Sequence, residues 1–230
     1  MSMETGHPLD RPVWNALGGR QASLAVARGD VRRLDPAYGP FAAAAPGCKA
    51  ALAGLLHDIA DEVWLVEPGT VPPPPGTRTV RTAPLLQMIA DGGLPLAPHE
   101  ADIVPLGEGD VPEMTALALA TEPGPWGPST WRYGQFYGVR IDGRLAAMAG
   151  ERMRPGDGLA EVSGVCTWPE FRGQGLAARL IRRVVAGLIA RGDTPFLHSY
   201  AGNAGAIRLY ESLGFRPRRE MVATILGKAE

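Results

Sequence analysis

Glu161-Val162-Ser163-Gly164-Val165-Cys166-Thr167-Trp168-Pro169-Glu170-Phe171-Arg172-Gly173-Gln174-Gly175-Leu176-Ala177 is the stretch whose reading decides the fold. It runs from a buried strand through a tight, glycine-containing turn into the start of a helix. The two glycines of the turn allow φ > 0 and a close approach of ligand to backbone. The first N–H groups of the helix and the positive end of its dipole are aimed at the same place, so an anion, most naturally a phosphate, fits there. The helix itself is specified by Leu176, Leu180, Val184 and Leu188 at every fourth position, with Ala177, Ile181 and Val185 widening the apolar stripe. Arg191-Gly192-Asp193 supplies its stop. The turn has neither a Gly-Lys-Ser/Thr ending nor a Gly-x-Gly-x-x-Gly run, which disfavours a nucleoside triphosphatase and a dinucleotide enzyme.

A chain of 230 residues is long enough for one large domain or two small ones. Its net charge of −1 argues against a nucleic-acid partner, which would require a surplus of Lys and Arg to displace counterions. Met1 to Arg11 has no apolar run of signal-peptide length, and no later run is long enough to span a bilayer, so no membrane partner and a cytoplasmic location are expected. Cys48 and Cys166 are far apart, and His7, His57, His99 and His198 fall at no metal-ligand spacing; neither a disulfide nor a metal site is expected.

Residues 1–98 are rich in Ala, Pro and Gly. Lys49 to Ile59 has helical spacing of Leu52, Leu55, Leu56 and Ile59, Glu62 to Val66 is β-prone, and Pro72 to Pro75 interrupts the pattern. Thr77 to Arg81 reads as a strand and Leu85 to Ala90 as a strand or a short helix, with Gln87 as a core amide. Asp91-Gly92-Gly93 through Pro98 reads as a linker, dividing a smaller α/β domain, 1–98, from a second one, 99–230. Beyond it come a strand over Asp102 to Leu106 and a helix over Val111 to Ala120, with Asp110 as its N-cap and Glu113 in the capping-box position. Thr121 to Pro128 is too rich in Pro and Gly for regular structure. Phe136 to Ile141 and Leu145 to Glu151 form a hairpin about Asp142-Gly143. Phe196 to Tyr200 is a strand, Asn203 caps a helix to Leu213 that Gly214 stops, and Phe215 to Leu226 supplies one or two strands. Hairpins together with crossovers predict a mixed sheet flanked by helices, an α+β fold.

Two motifs carry a family resemblance. Arg172-Gly173-Gln174-Gly175-Leu176-Ala177 matches every specified position of Arg/Gln-x-x-Gly-x-Gly/Ala, and Asn203 is followed by a helix ending in Leu209-Tyr210-Glu211-Ser212-Leu213-Gly214-Phe215. In that order they resemble the GCN5-related N-acetyltransferases over about Ala101 to Leu226. The resemblance implies a GNAT fold with a splayed sheet, and transfer of an acetyl group from acetyl-CoA to a small-molecule or peptide amine by direct attack in a ternary complex. It does not extend to the N-terminal part, whose helix-then-strand pattern echoes Leu176 to His198 as a degenerate half-fold without the glycine turn.

The resemblance implies that the N–H groups of Gly173, Gln174, Gly175, Leu176 and Ala177 hold the pyrophosphate of CoA, with Arg172 near its phosphates. Val165 and Thr167 would offer backbone groups to the pantetheine and thioester. Asn203 and Tyr210, nearly two helical turns apart, would face the same groove. Tyr210 is the expected general acid for the departing thiolate, and Glu161 the expected general base, with Glu151 in reserve; the other reading of Glu161 is a strand-end glutamate facing solvent or pairing with Arg152 or Arg154. Cys166 reads as packing rather than an acyl-enzyme nucleophile, since no His stands in a context that marks it as its base. Acceptor contacts are expected from Pro123 to Tyr133, with Trp126, Trp131 and Tyr133, and from Arg216, Arg218 and Arg219, the aromatics reading equally as packing under a proline-rich loop. The alternatives are a non-catalytic acyl-CoA sensor or scaffold and a transferase for a longer acyl group, and in such families exposed closing strands can pair into a homodimer.

Overall fold

The computed structural model describes residues 6–59, 62–91 and 102–229. Among the described residues, eleven strands run in chain order: β1 Ala25–Arg28, β2 Val31–Leu34, β3 Ala42–Ala44, β4 Glu62–Glu67, β5 Thr77–Ile89, β6 Ile103–Leu106, β7 Phe136–Ile141, β8 Arg144–Glu151, β9 Leu159–Thr167, β10 Thr194–Tyr200 and β11 Arg216–Lys228. The α-helices are α1 Pro12–Gly18, α2 Leu52–Ile59, α3 Val111–Thr121, α4 Leu176–Ala190 and α5 Ala204–Ser212. Strands β1 to β3 form a small antiparallel sheet, and the other eight form one mixed sheet in the order β4-β11-β5-β10-β9-β8-β7-β6.

That order bears on the N-terminal part. Of the run Leu85 to Ala90, ambiguous in isolation, all but Ala90 belongs to a strand, and β5 lies between β10 and β11, antiparallel to both. β4 then closes the edge on β11. A division near residue 98 therefore does not separate two sheets; apart from Asp91, the expected linker lies outside the described residues.

The two faces of the sheet are covered differently. On one, α4 sets Leu180, Ile181, Val184, Val185 and Leu188 against Ala147, Ala149, Ala160, Val162 and Leu197. The small residues on β8 let the helix come close, and burial of this apolar stripe stabilises the helix far more than its intrinsic propensity does. On the other face, α1 contributes Val13 and Leu17 to a cluster with Phe41, Val66, Leu85 and Phe196. There α3 packs Met114 and Leu117 on Phe136, Leu145 and Met148.

Local signals account for several element boundaries. Asp142 and Gly143 have φ of 50° and 79°, the left-handed pair that matches the twist of a two-residue hairpin. The N-terminus of α3 differs from expectation. Asp110 accepts from the Gly107 N–H at 2.9 Å, one turn earlier, because a 3-10 turn over Glu108–Asp110 precedes the helix. Glu113 does not close a capping box; it accepts the Leu145 N–H at 3.1 Å and pairs with Arg140 at 2.7 Å.

Candidate active site

Two irregularities of β9 create the site. Opposite β8, two residues of β9, Gly164 and Val165, stand against the single Ala149 between Met148/Cys166 and Gly150/Ser163. Gly164, at φ 61°, absorbs this bulge, and a Cβ there would lie 2.8 Å from Phe136. The extra residue shifts the alternation, so that Val162 and Val165 both face α4. Opposite β10, parallel pairing runs through Thr194/Leu159, Pro195/Ala160 and Phe196/Glu161 and goes no further. Beyond that point the strands diverge, and a cavity of about 440 Å³ lies beside the opening.

Val165, Cys166 and Thr167 of β9 line the cavity, as do His198, Ser199 and Tyr200 of β10. Asn203, Leu209 and Tyr210 line it from the α5 side, and Thr121 to Pro125 form its rim. Ala177 and Arg172 border it at the start of α4. Of the expected residues, this brings together Val165, Thr167, Arg172, Ala177, Asn203 and Tyr210. Gly173, Gln174, Gly175 and Leu176 do not line the cavity. Gly173 and Gly175 hold the adjoining turn at φ 78° and 74°, and a Cβ on either would have no atom within 4 Å. The turn is thus left open by its own side chains; the Leu176 side chain is buried in the core. The first i to i−4 bond of α4 is Arg179 N–H to Gly175 carbonyl at 3.2 Å, so the preceding N–H groups open toward the turn.

Asn203 caps α5, its Oδ1 accepting the Ala206 N–H at 3.1 Å. At the other end the Phe215 N–H bonds the Tyr210 carbonyl at 3.0 Å, Gly214 takes φ 90°, and the Phe215 ring meets the Tyr210 ring edge-on at 6.2 Å. Burial raises the Tyr210 pKa, which keeps the phenol protonated. The Cys166 thiol is pushed up to about 12 by burial, which leaves it unreactive as a nucleophile.

Glu161 is a correction. It has no exposed surface and lies at the point where β9 and β10 part, but does not line the cavity. Arg152 donates to both its carboxylate oxygens, at 2.9 and 2.7 Å, and His198 Nδ1 lies 2.7 Å from Oε1. Burial alone would raise its pKa, but the charge and hydrogen bonds of Arg152, with the bond to His198, hold it at about 2. Such a carboxylate is an anchor, not a base for an ammonium group. Glu151 is equally engaged: it is buried, and its Oε2 pairs with Arg154 and Arg191, both at 2.7 Å.

Of the expected acceptor contacts, Pro123 to Pro125 line the cavity, but the three aromatic residues and the three arginines are engaged elsewhere. Trp126 packs on Phe136 and donates to Thr115 Oγ1 at 3.1 Å, Trp131 packs on the α3 cluster, and Tyr133 is buried against Tyr38. Arg216 pairs with Asp91, while Arg218 and Arg219 both pair with Asp10, at 2.8 and 2.9 Å. In their place, Phe41, Trp64, Val66 and Leu85 from the N-terminal part wall the cavity, together with Arg152 and Met153. Sequence reasoning missed them because no local pattern brings β4 and β5 next to β10 and β11.

The chain is 75% identical to a protein from Novosphingobium aromaticivorans, described as an acetyltransferase of the GNAT family, with a TM-score of 0.95 over 97% of this chain and 100% of that one. It belongs to the GNAT family. The family model described as FR47-like protein matches residues 136–223, which span β7 to most of β11. A GCN5-related N-acetyltransferase from Kribbella flavida, 23% identical, has the same fold with a TM-score of 0.59 over 95% of this chain and 96% of that one. A GCN5-related N-acetyltransferase-like protein from Streptococcus suis, 14% identical, does so at 0.60 over 98% and 94%. No curated protein matches the chain. The mixed, splayed sheet is therefore the GNAT sheet, and the cavity beside its opening is the candidate active site of a GNAT acetyltransferase.

Proposed function

We propose that this acetyltransferase carries an acetyl group from acetyl-CoA to an amine in a ternary complex. One observation carries the reading: β9 and β10 stop pairing after Glu161/Phe196, next to a cavity that Tyr210 lines. A thioester entering there meets main-chain groups of Val165 to Thr167 that β10 does not pair. The open turn supports placing the pyrophosphate on the N–H groups of Gly173, Gln174, Gly175, Leu176 and Ala177.

The amine nitrogen attacks the thioester carbonyl and forms the C–N bond. As the C–S bond breaks, the sulfur leaves as a thiolate and takes the proton of Tyr210, while the attacking nitrogen, cationic once bonded, gives up its extra proton to restore the phenol. Because Glu161 is held by Arg152, the amine enters as its free base or gives up its proton to water at the cavity rim, beside Glu122.

Two measurements test the proposal. Calorimetry with acetyl-CoA should give saturable heat, and an amine panel should release free thiol with at least one acceptor. No heat at millimolar acetyl-CoA overturns the proposal, as does saturable binding with no thiol release from any acceptor.

A further inference from the structure

Beyond β10 in sheet order, the cavity wall is made by the N-terminal part of the chain. Trp64 on β4 and Phe41, joined to it by a parallel bridge, stand edge to face with ring centroids 6.5 Å apart. Leu85, Val66 and Ala223 continue this wall. The aromatic faces already carry cations: the Arg81 guanidinium lies 5.4 Å from the Trp64 ring, and that of Arg152 lies 5.1 Å from the Phe41 ring.

Charge narrows the choice of acceptor. Glu122 is the one carboxylate among the described lining residues, against the guanidinium groups of Arg152 and Arg172. Glu161, which could have balanced a second cation, is taken up by Arg152 behind the wall. A polycation would enter with more charges than Glu122 alone can neutralise, at a large desolvation cost. A neutral free-base amine with an apolar body loses little and buries its body against Trp64, Phe41 and Leu85.

We infer that the acceptor is a primary monoamine whose apolar body, about the size of a phenyl ring, seats against Phe41, Trp64 and Leu85. This rests on the acetyl-transfer reading above, with the N-terminal part acting as the selecting element of the site.

The test uses the full chain with 2-phenylethylamine and spermidine as probes. Titration of 2-phenylethylamine without acetyl-CoA should quench tryptophan fluorescence saturably, and Trp64→Phe, which keeps the packing, should remove that component. In thiol release, kcat/KM for 2-phenylethylamine should exceed that for spermidine by at least roughly 30-fold. Trp64→Ala should raise KM for 2-phenylethylamine about tenfold, leaving kcat and the acetyl-CoA Kd unchanged. Preference for spermidine, no quenching by 2-phenylethylamine, or an unchanged KM in Trp64→Ala overturns the inference. Because quenching needs no acetyl-CoA, it is read separately from the calorimetry that tests acetyl transfer.

Discussion

Oε1 of Glu161 lies 2.7 Å from Nδ1 of His198, at the point where β9 and β10 part. The other imidazole nitrogen is 3.0 Å from the Gln87 amide nitrogen, and Gln87 is itself fixed, its nitrogen donating to the Leu9 carbonyl and its oxygen accepting from Arg218. That orientation makes Nε2 an acceptor and puts the imidazole proton on Nδ1, toward Glu161. Asp10, Arg218, Gln87, His198, Glu161 and Arg152 thus form one continuous polar chain across the sheet.

Glu161→Gln should damage stability. Removing one charge of a buried pair leaves Arg152 uncompensated, a loss of about 3–5 kcal/mol. The carboxylate pKa is depressed to about 2, so its stabilisation is complete above its unfolded-state pKa and disappears as the pH falls toward 2. Acid titration of circular dichroism should show a steeper stability loss below about pH 5 in the parent than in Glu161→Gln.

The pH dependence of turnover should follow the acceptor. With Glu161 held by Arg152 behind the wall, log kcat/KM should rise with a slope of one up to the amine's own pKa, and change when acceptors of different basicity are used. A fixed inflection well below the amine pKa, the same for every acceptor, would contradict this.

Tyr210→Phe should lower kcat by about 10²–10⁴-fold, with the acetyl-CoA Kd preserved. Burial raises the Tyr210 pKa, so the acid stays loaded and the alkaline fall in activity should begin above the range of an ordinary tyrosine. Steady-state rates and calorimetry on the same sample separate the two effects.

Gly175→Ala should weaken acetyl-CoA binding about tenfold without unfolding the chain. At φ 74° with nothing within 4 Å of a new Cβ, the penalty is backbone strain of about 1–2 kcal/mol in the turn rather than a clash. Calorimetry and a melting curve distinguish the two.

Alkylation should separate the two cysteines. Cys48 is partly exposed, whereas the Cys166 thiol is buried and pushed up to about 12. Brief iodoacetamide treatment of the native chain, read by mass spectrometry, should label Cys48 and spare Cys166, with no loss of acetyl transfer.

What could be read from the residues was local. The α4 stripe, the Asp142-Gly143 turn and the Asn203 cap each depend on neighbours a few positions away, and each forms where its pattern places it. The position of β5 depends on strands that follow it by more than a hundred residues, and an apolar run carries no address for its neighbours. For the aromatic loop the residues leave binding and packing equal: Trp126, Trp131 and Tyr133 have the chemistry of a binding site, and packing beneath the loop takes all three. For Glu161 the pairing with Arg152 is one of the two readings the residues allow. Arg152 precedes it by nine residues on the neighbouring hairpin arm, and His198 faces it from the next strand once the register is known.

The location of β5 also sets a schedule for synthesis. It leaves the ribosome roughly a hundred residues before β10 and still longer before β11, and until both emerge its two long edges have no native partner. The wall made by Leu85 and Trp64 cannot meet the arm bearing Tyr210 before then. A nascent chain stalled ahead of Arg216 would display the glycine turn but have no finished pocket.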